Sequence, residues 1–78
     1  MPRFFFNIYD DKATIDEVGL ELADLAAAHE AALEEARAVI SEEVRRGRID
    51  LSHRIEVEDE IRLPCFTLRY RDVVRIEP

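Results

Sequence analysis

The sequence predicts a two-layer α+β sandwich, with one long amphipathic helix packed on a small, mainly antiparallel sheet of three or four strands in the order β-(β)-α-β-β. Three observations predict it. An aromatic-rich segment opens the chain, a long run of helix formers fills its middle, and two segments of alternating polarity follow. With 78 residues, a single α+β domain spanning 1–78 is expected. A domain of this size hides only about 60% of its unfolded surface, which leaves little core from which to carve a deep cofactor cleft.

The first element is Arg3-Phe4-Phe5-Phe6-Asn7-Ile8-Tyr9, a strand by composition, closed by the turn-forming pair Asp10-Asp11. Alternation places Phe4, Phe6 and Ile8 on one face and Arg3, Phe5, Asn7 and Tyr9 on the other. An acidic connection follows, in which Ala13-Thr14-Ile15 has the composition of a short strand pairing back as a hairpin.

Asp24 to Arg46 contains no Gly or Pro and is rich in Ala, Leu, Glu and Arg, so it reads as one helix about 33 Å long. Asp24 is the expected N-cap and Gly47 the expected stop. At 100° per residue, Leu25, Ala32, Leu33, Ala36 and Ile40 share one side, with Leu22 leading in and Ala28, Val39 and Val44 at the edges. A single apolar stripe wants a single partner surface, most simply one face of a sheet.

Ser52 to Glu58 alternates, with Ile55 and Val57 against Arg54, Glu56 and Glu58. Asp59-Glu60-Ile61-Arg62 is the expected turn, and Leu63 to Tyr70 the last strand, with Pro64 confined to its start or to a sheet edge. Phe66, Leu68 and Tyr70 oppose Cys65, Thr67 and Arg69, and the apolar tail Val73–Ile76 is expected to pack or to extend the sheet.

Three stretches taken together carry a family resemblance. They are the opening Met1-Pro2-Arg3-Phe4-Phe5-Phe6; Asp16-Glu17-Val18-Gly19-Leu20-Glu21-Leu22-Ala23-Asp24-Leu25; and Arg54-Ile55-Glu56-Val57 followed by Thr67-Leu68-Arg69-Tyr70-Arg71-Asp72. In these the chain resembles an uncharacterised family of short bacterial proteins, catalogued as a domain of unknown function. The resemblance runs over essentially the whole chain and implies a small cytoplasmic bacterial protein. Members typically carry Gly in the second hairpin turn, where this chain has Asp59-Glu60-Ile61-Arg62, which implies a wider loop here. No catalytic residue is carried over.

Composition narrows the function. The formal net charge is −7, from 18 acids and 11 bases, which argues against direct nucleic-acid binding. The acids dominate residues 1–44, while the bases collect toward the C-terminal half. Arg45, Arg46, Arg48 and Arg54 form a candidate patch for an anion or an acidic partner. Hydrophobic runs are short and broken by charge, and the aromatic opening lacks a small-residue cleavage site, so neither a membrane span nor a signal peptide is expected. One cysteine excludes an internal disulfide and suits a reducing, cytoplasmic compartment.

A search for chemistry returns little. His29 lies near the middle of the helix stripe by angle, and His53 stands 24 positions further on, which is no recognised ligand spacing; no metal is expected. Asp10 to Glu17 holds several carboxylates without the ligand alternation or Gly of a calcium loop. Cys65 has no Cys/His signature, and no Gly-rich phosphate loop or nucleophile elbow is present. No catalytic residue and no cofactor are expected.

The reading is therefore a non-enzymatic interaction or accessory module that forms a homodimer. The alternative is a regulatory, antitoxin-like partner of a nucleic-acid-binding protein, and a small enzyme ranks behind both. The homodimer follows from a surplus of aromatics and from open sheet edges: one helix covers one sheet face, so Phe5 and Tyr9, with Cys65 and Thr67, are left as a candidate interface on the other, and the two sheets pair either face to face or edge to edge.

Overall fold

A computed structural model describes residues 1–78. β1 (Arg3–Tyr9) runs through the sheet interior, with β4 (Arg54–Glu58) antiparallel on one side and β5 (Pro64–Arg69) beyond it. Its other side is shared by two short antiparallel strands, β2 (Ala13–Thr14) opposite Ile8 and Tyr9, and β3 (Leu20–Glu21) opposite Arg3 and Phe4. The sheet thus has five strands rather than three or four. β2 falls where the hairpin is expected, one residue shorter; β3 has no signature of its own, because two residues are too few to show alternation.

In the β1–β4 register Phe6 lies opposite Val57 and Ile8 opposite Ile55. Leu68 then pairs with Ile55 and Phe66 with Val57, which continues one apolar face across β5. α1 (Leu25–Arg45) covers this face. The Asp24 carboxylate accepts from the Ala27 amide as the N-cap, and Gly47 takes a φ of 86° just beyond the last turn.

The helix buries most of the expected stripe, Ala32, Ala36 and Ile40, but Ala28 replaces Leu25 at its head. Ala28, Ala32 and Ala36 have no exposed surface and Ile40 is buried, whereas Leu25 is half exposed. The line of closest approach is the i, i+4 row of alanines, because a methyl side chain lets the helix backbone settle onto the sheet. Leu33 and Val39 flank that line and are partly buried against the core. Leu25 lies off the row, in the first turn.

After β5 a 3-10 turn (Tyr70–Asp72) replaces the last residue of the expected strand. It turns Tyr70 and Val73 into the core beneath α1, where Arg37 Nε donates to the Val73 carbonyl at 3.0 Å. Of the tail, Val73 and Val74 pack and Ile76 stays exposed; no strand is added. The β4–β5 connection is wide, as the missing glycine implies. Asp59 holds it, its carboxylate accepting from the amides of Ile61 and Leu63, and Arg62 takes up the left-handed conformation at φ 67°.

Candidate functional site

The two ends of β4 carry the polar chemistry of the molecule, and the open face of the sheet lies between them. On that face Phe5 and Tyr9 point away from the helix, as expected, but neither is bare. The Arg62 guanidinium lies 3.6 Å from the Phe5 ring centroid and the Arg54 guanidinium 4.5 Å from that of Tyr9. Arg54 also donates to Glu56 at 2.7 Å, and Arg62 to Glu58 at 3.1 Å. Thr67 is exposed opposite Glu56. Cys65 departs from this group: it falls at the register irregularity facing Val57 and Glu58 and packs against the core cluster. Burial, with Asp59 nearby, pushes its thiol up, so it is a poor nucleophile.

At the Glu58 end, the β2–β3 connection fastens onto β1 through Asp16. One carboxylate oxygen accepts from the Phe6 amide at 3.0 Å, and the other from the amides of Val18 and Gly19 at 3.0 and 2.9 Å. The Asp16 amide donates to Asn7 Oδ1, and the Asp16 carbonyl accepts from Arg62. Partial burial alone would raise the Asp16 pKa; the three amides and the Arg62 charge overcome it and hold the carboxyl below its usual range. Gly19 has a φ of 74°, and a Cβ there would lie 2.8 Å from Arg3 Cγ and 3.0 Å from the Phe4 carbonyl oxygen, so only glycine fits.

The Arg54 end is built differently. His53, just before β4, is 7% exposed, and its ring stands edge-on to Tyr70 at 5.6 Å. Its Nδ1 faces Glu43 Oε1 of α1 at 3.6 Å, and its Nε2 faces Asp50 Oδ2 at 3.3 Å, neither in hydrogen-bonding geometry. Four buried side-chain polar atoms in the protein lack a hydrogen-bond partner: both ring nitrogens of His53, Glu43 Oε2 and the Tyr70 hydroxyl. All four belong to this corner. Burial, then the nearby carboxylates of Glu35, Asp10 and Glu43, push the Tyr70 hydroxyl up to about 12. Asp50 is held low, first by the Ser52 hydroxyl and amide and then by its basic neighbours His53 and Arg48. A cleft of about 330 Å³ opens above the group, with Asp10, Asp11, Glu42 and Arg46 on its rim.

The candidate arginine patch is divided among these surroundings. Arg45 is exposed in the last helical turn, Arg46 lies 3.7 Å from Glu42, and Arg48 lies 3.6 Å from Glu43 and 3.9 Å from Asp50. Arg54 belongs to the open sheet face. The patch is thus interleaved with carboxylates.

Residues 3–71 match the family model described as a domain of unknown function, DUF6894. The chain belongs to that family. No curated protein and no solved structure matches it significantly. No helix in the chain is long and apolar enough to cross a membrane.

In this family member, sequence reasoning located the open-face aromatics and missed the His53 corner. The sequence offers His29 as the nearest chemical counterpart of His53, but the fold places His29 elsewhere, exposed on the helix with its ring 5.4 Å from Phe66. The partners of His53 come from the β1–β2 hairpin, the end of α1 and the loop before β4. One signal was legible: Asp50 and His53 sit three positions apart at a strand entrance.

Proposed function

We propose that the protein is a non-enzymatic interaction module of the bacterial cytoplasm that pairs with a second copy of itself through the open face of its sheet. The observation that carries this reading is the make-up of that face. Phe5 and Tyr9 stand under the guanidinium groups of Arg62 and Arg54, and Tyr and Arg are the residues that dominate binding hot spots. Charge balance favours a second copy as the occupant. Arg54, Arg62 and Arg69 share the face with Glu56 and Glu58, so two such faces meet without the repulsion that the net charge of −7 creates elsewhere. The unpaired Cys65 suits a reducing compartment.

Light scattering coupled to size exclusion tests the reading. The expected mass is twice 9.1 kDa at micromolar concentration, falling to the single-chain value in Phe5→Glu and Tyr9→Glu variants that keep the wild-type circular dichroism. A single-chain mass across the whole concentration range overturns self-association. A dimer that survives both substitutions overturns the assignment to this face and moves the contact to the β5 edge.

A further inference from the structure

We propose that Asp11, Asp50 and His53 form a binding site for one divalent transition-metal ion of the zinc class, which fastens the β1–β2 hairpin to the entrance of β4. One ligand atom from each residue lies within 4.8 Å of the other two. The closest pair, Asp50 Oδ2 and His53 Nε2, is 3.3 Å apart. Tetrahedral bonds of zinc's length place neighbouring ligand atoms about 3.3 Å apart, so this pair already spans one edge of such a polyhedron. The Asp11 carboxylate is on an exposed turn and closes the third corner with a small movement.

A cluster of acids alone would be a solvated surface. The second observation is His53 itself, an imidazole more than nine-tenths buried, lining the cleft and lacking a hydrogen bond at either nitrogen. A buried ring left unsatisfied on both sides is costly unless something fills its Nε2 side. The opposite side is prepared as metal sites require. Glu43 Oε1 faces Nδ1 at 3.6 Å, and a carboxylate there, drawn in to hydrogen-bonding distance, accepts from Nδ1–H and fixes the tautomer that leaves Nε2 free to ligate. Arg48 is the competing cation, but it is largely exposed and no closer than 3.9 Å to Asp50, so it does not saturate the carboxylate. The donor set of one imidazole nitrogen and two carboxylate oxygens selects a zinc-like ion over magnesium or calcium, which take oxygen alone. The cleft leaves the remaining coordination position to water.

Titration calorimetry of the chelator-treated full chain with zinc chloride tests the proposal, with cobalt(II) absorption reporting coordination geometry. Expected are one ion per chain, a tetrahedral cobalt spectrum, and at least tenfold weaker binding of magnesium or calcium. Asp11→Asn, at an exposed position that leaves folding intact, is expected to weaken zinc at least tenfold, and Glu43→Gln about tenfold through the histidine. His29→Gln and Cys65→Ser are expected to bind as wild type. Absence of saturable binding overturns the proposal. So does affinity unchanged in the Asp11→Asn, Asp50→Asn double variant, loss of binding in His29→Gln or Cys65→Ser, or magnesium binding as tight as zinc.

Discussion

The two ends of β4 place similar polar residues under opposite regimes. At the Glu58 end, Asp16 and Arg62 meet amides, carbonyls, a carboxylate and a ring face, and no buried side-chain polar atom lacks a partner. At the Arg54 end, His53, Glu43 and Tyr70 hold buried polar atoms without a hydrogen bond. The first end spends its polar groups on holding the chain; the second keeps them in reserve. A folded protein tolerates such a reserve where something other than stability requires it.

The contrast is sharpest in its largest expected effect. Asp16→Ala strips three amides of their acceptor and is expected to cost about 3 kcal/mol, at roughly 1 kcal/mol or more for each lost bond, read by urea denaturation. Its pH dependence has a definite sign. The folded-state pKa of Asp16 lies below its ordinary 3.8, so its contribution is present above that value and lost as pH falls through the lower, folded value. The acid limb of the stability curve is therefore expected to flatten in Asp16→Asn. An unchanged limb would remove Asp16 from the comparison.

A smaller effect separates strain from contact at Arg62. Arg62→Ala loses the guanidinium contacts but keeps the left-handed backbone, whereas Arg62→Gly also releases the strain. The glycine variant is expected to be the more stable of the two by about 1 kcal/mol, with both below wild type. Equal stabilities would show that φ at this position carries no penalty.

At the opposite end the smallest effect has the opposite sign. His53→Leu removes two unpartnered nitrogens from a buried site, and its melting temperature in chelator is expected to hold or to rise by several degrees, about 1 kcal/mol in a domain of this size. A loss of several kcal/mol would make His53 as structural as Asp16 and erase the difference between the two ends.

The layers were legible in the sequence because periodicity encodes them. Ile55, Val57 and Leu68 are buried where alternation puts them, and Asp24 and Gly47 bound the helix as their cap chemistry dictates. Ala32, Ala36 and Ile40 were legible as the buried stripe, but the head of the ridge was not, because hydropathy ranks Leu25 above Ala28 while close packing selects the smaller residue. Of the candidate interface, Phe5 and Tyr9 were placed on the correct face, but the arginines over them depend on cross-strand register and on a turn conformation that no periodicity reports. Cys65 was misplaced for a related reason, since a single register shift breaks strict alternation. The His53 corner depends wholly on tertiary assembly, bringing Asp11, Glu43 and Asp50 from three separate segments.

The sheet is also asymmetric at its borders. One flank of β1 is taken up by two strands of two residues each, interrupted by the Asp16 connection, whereas β5 leaves its full outer flank unpaired beyond Pro64. Backbone recruitment therefore has one competent side. Two copies that joined there about a two-fold axis would each consume the only side the other could offer, and nothing would remain to add a third. A fold with one open border cannot template a growing fibre through its native strands: its strand-to-strand association ends at two.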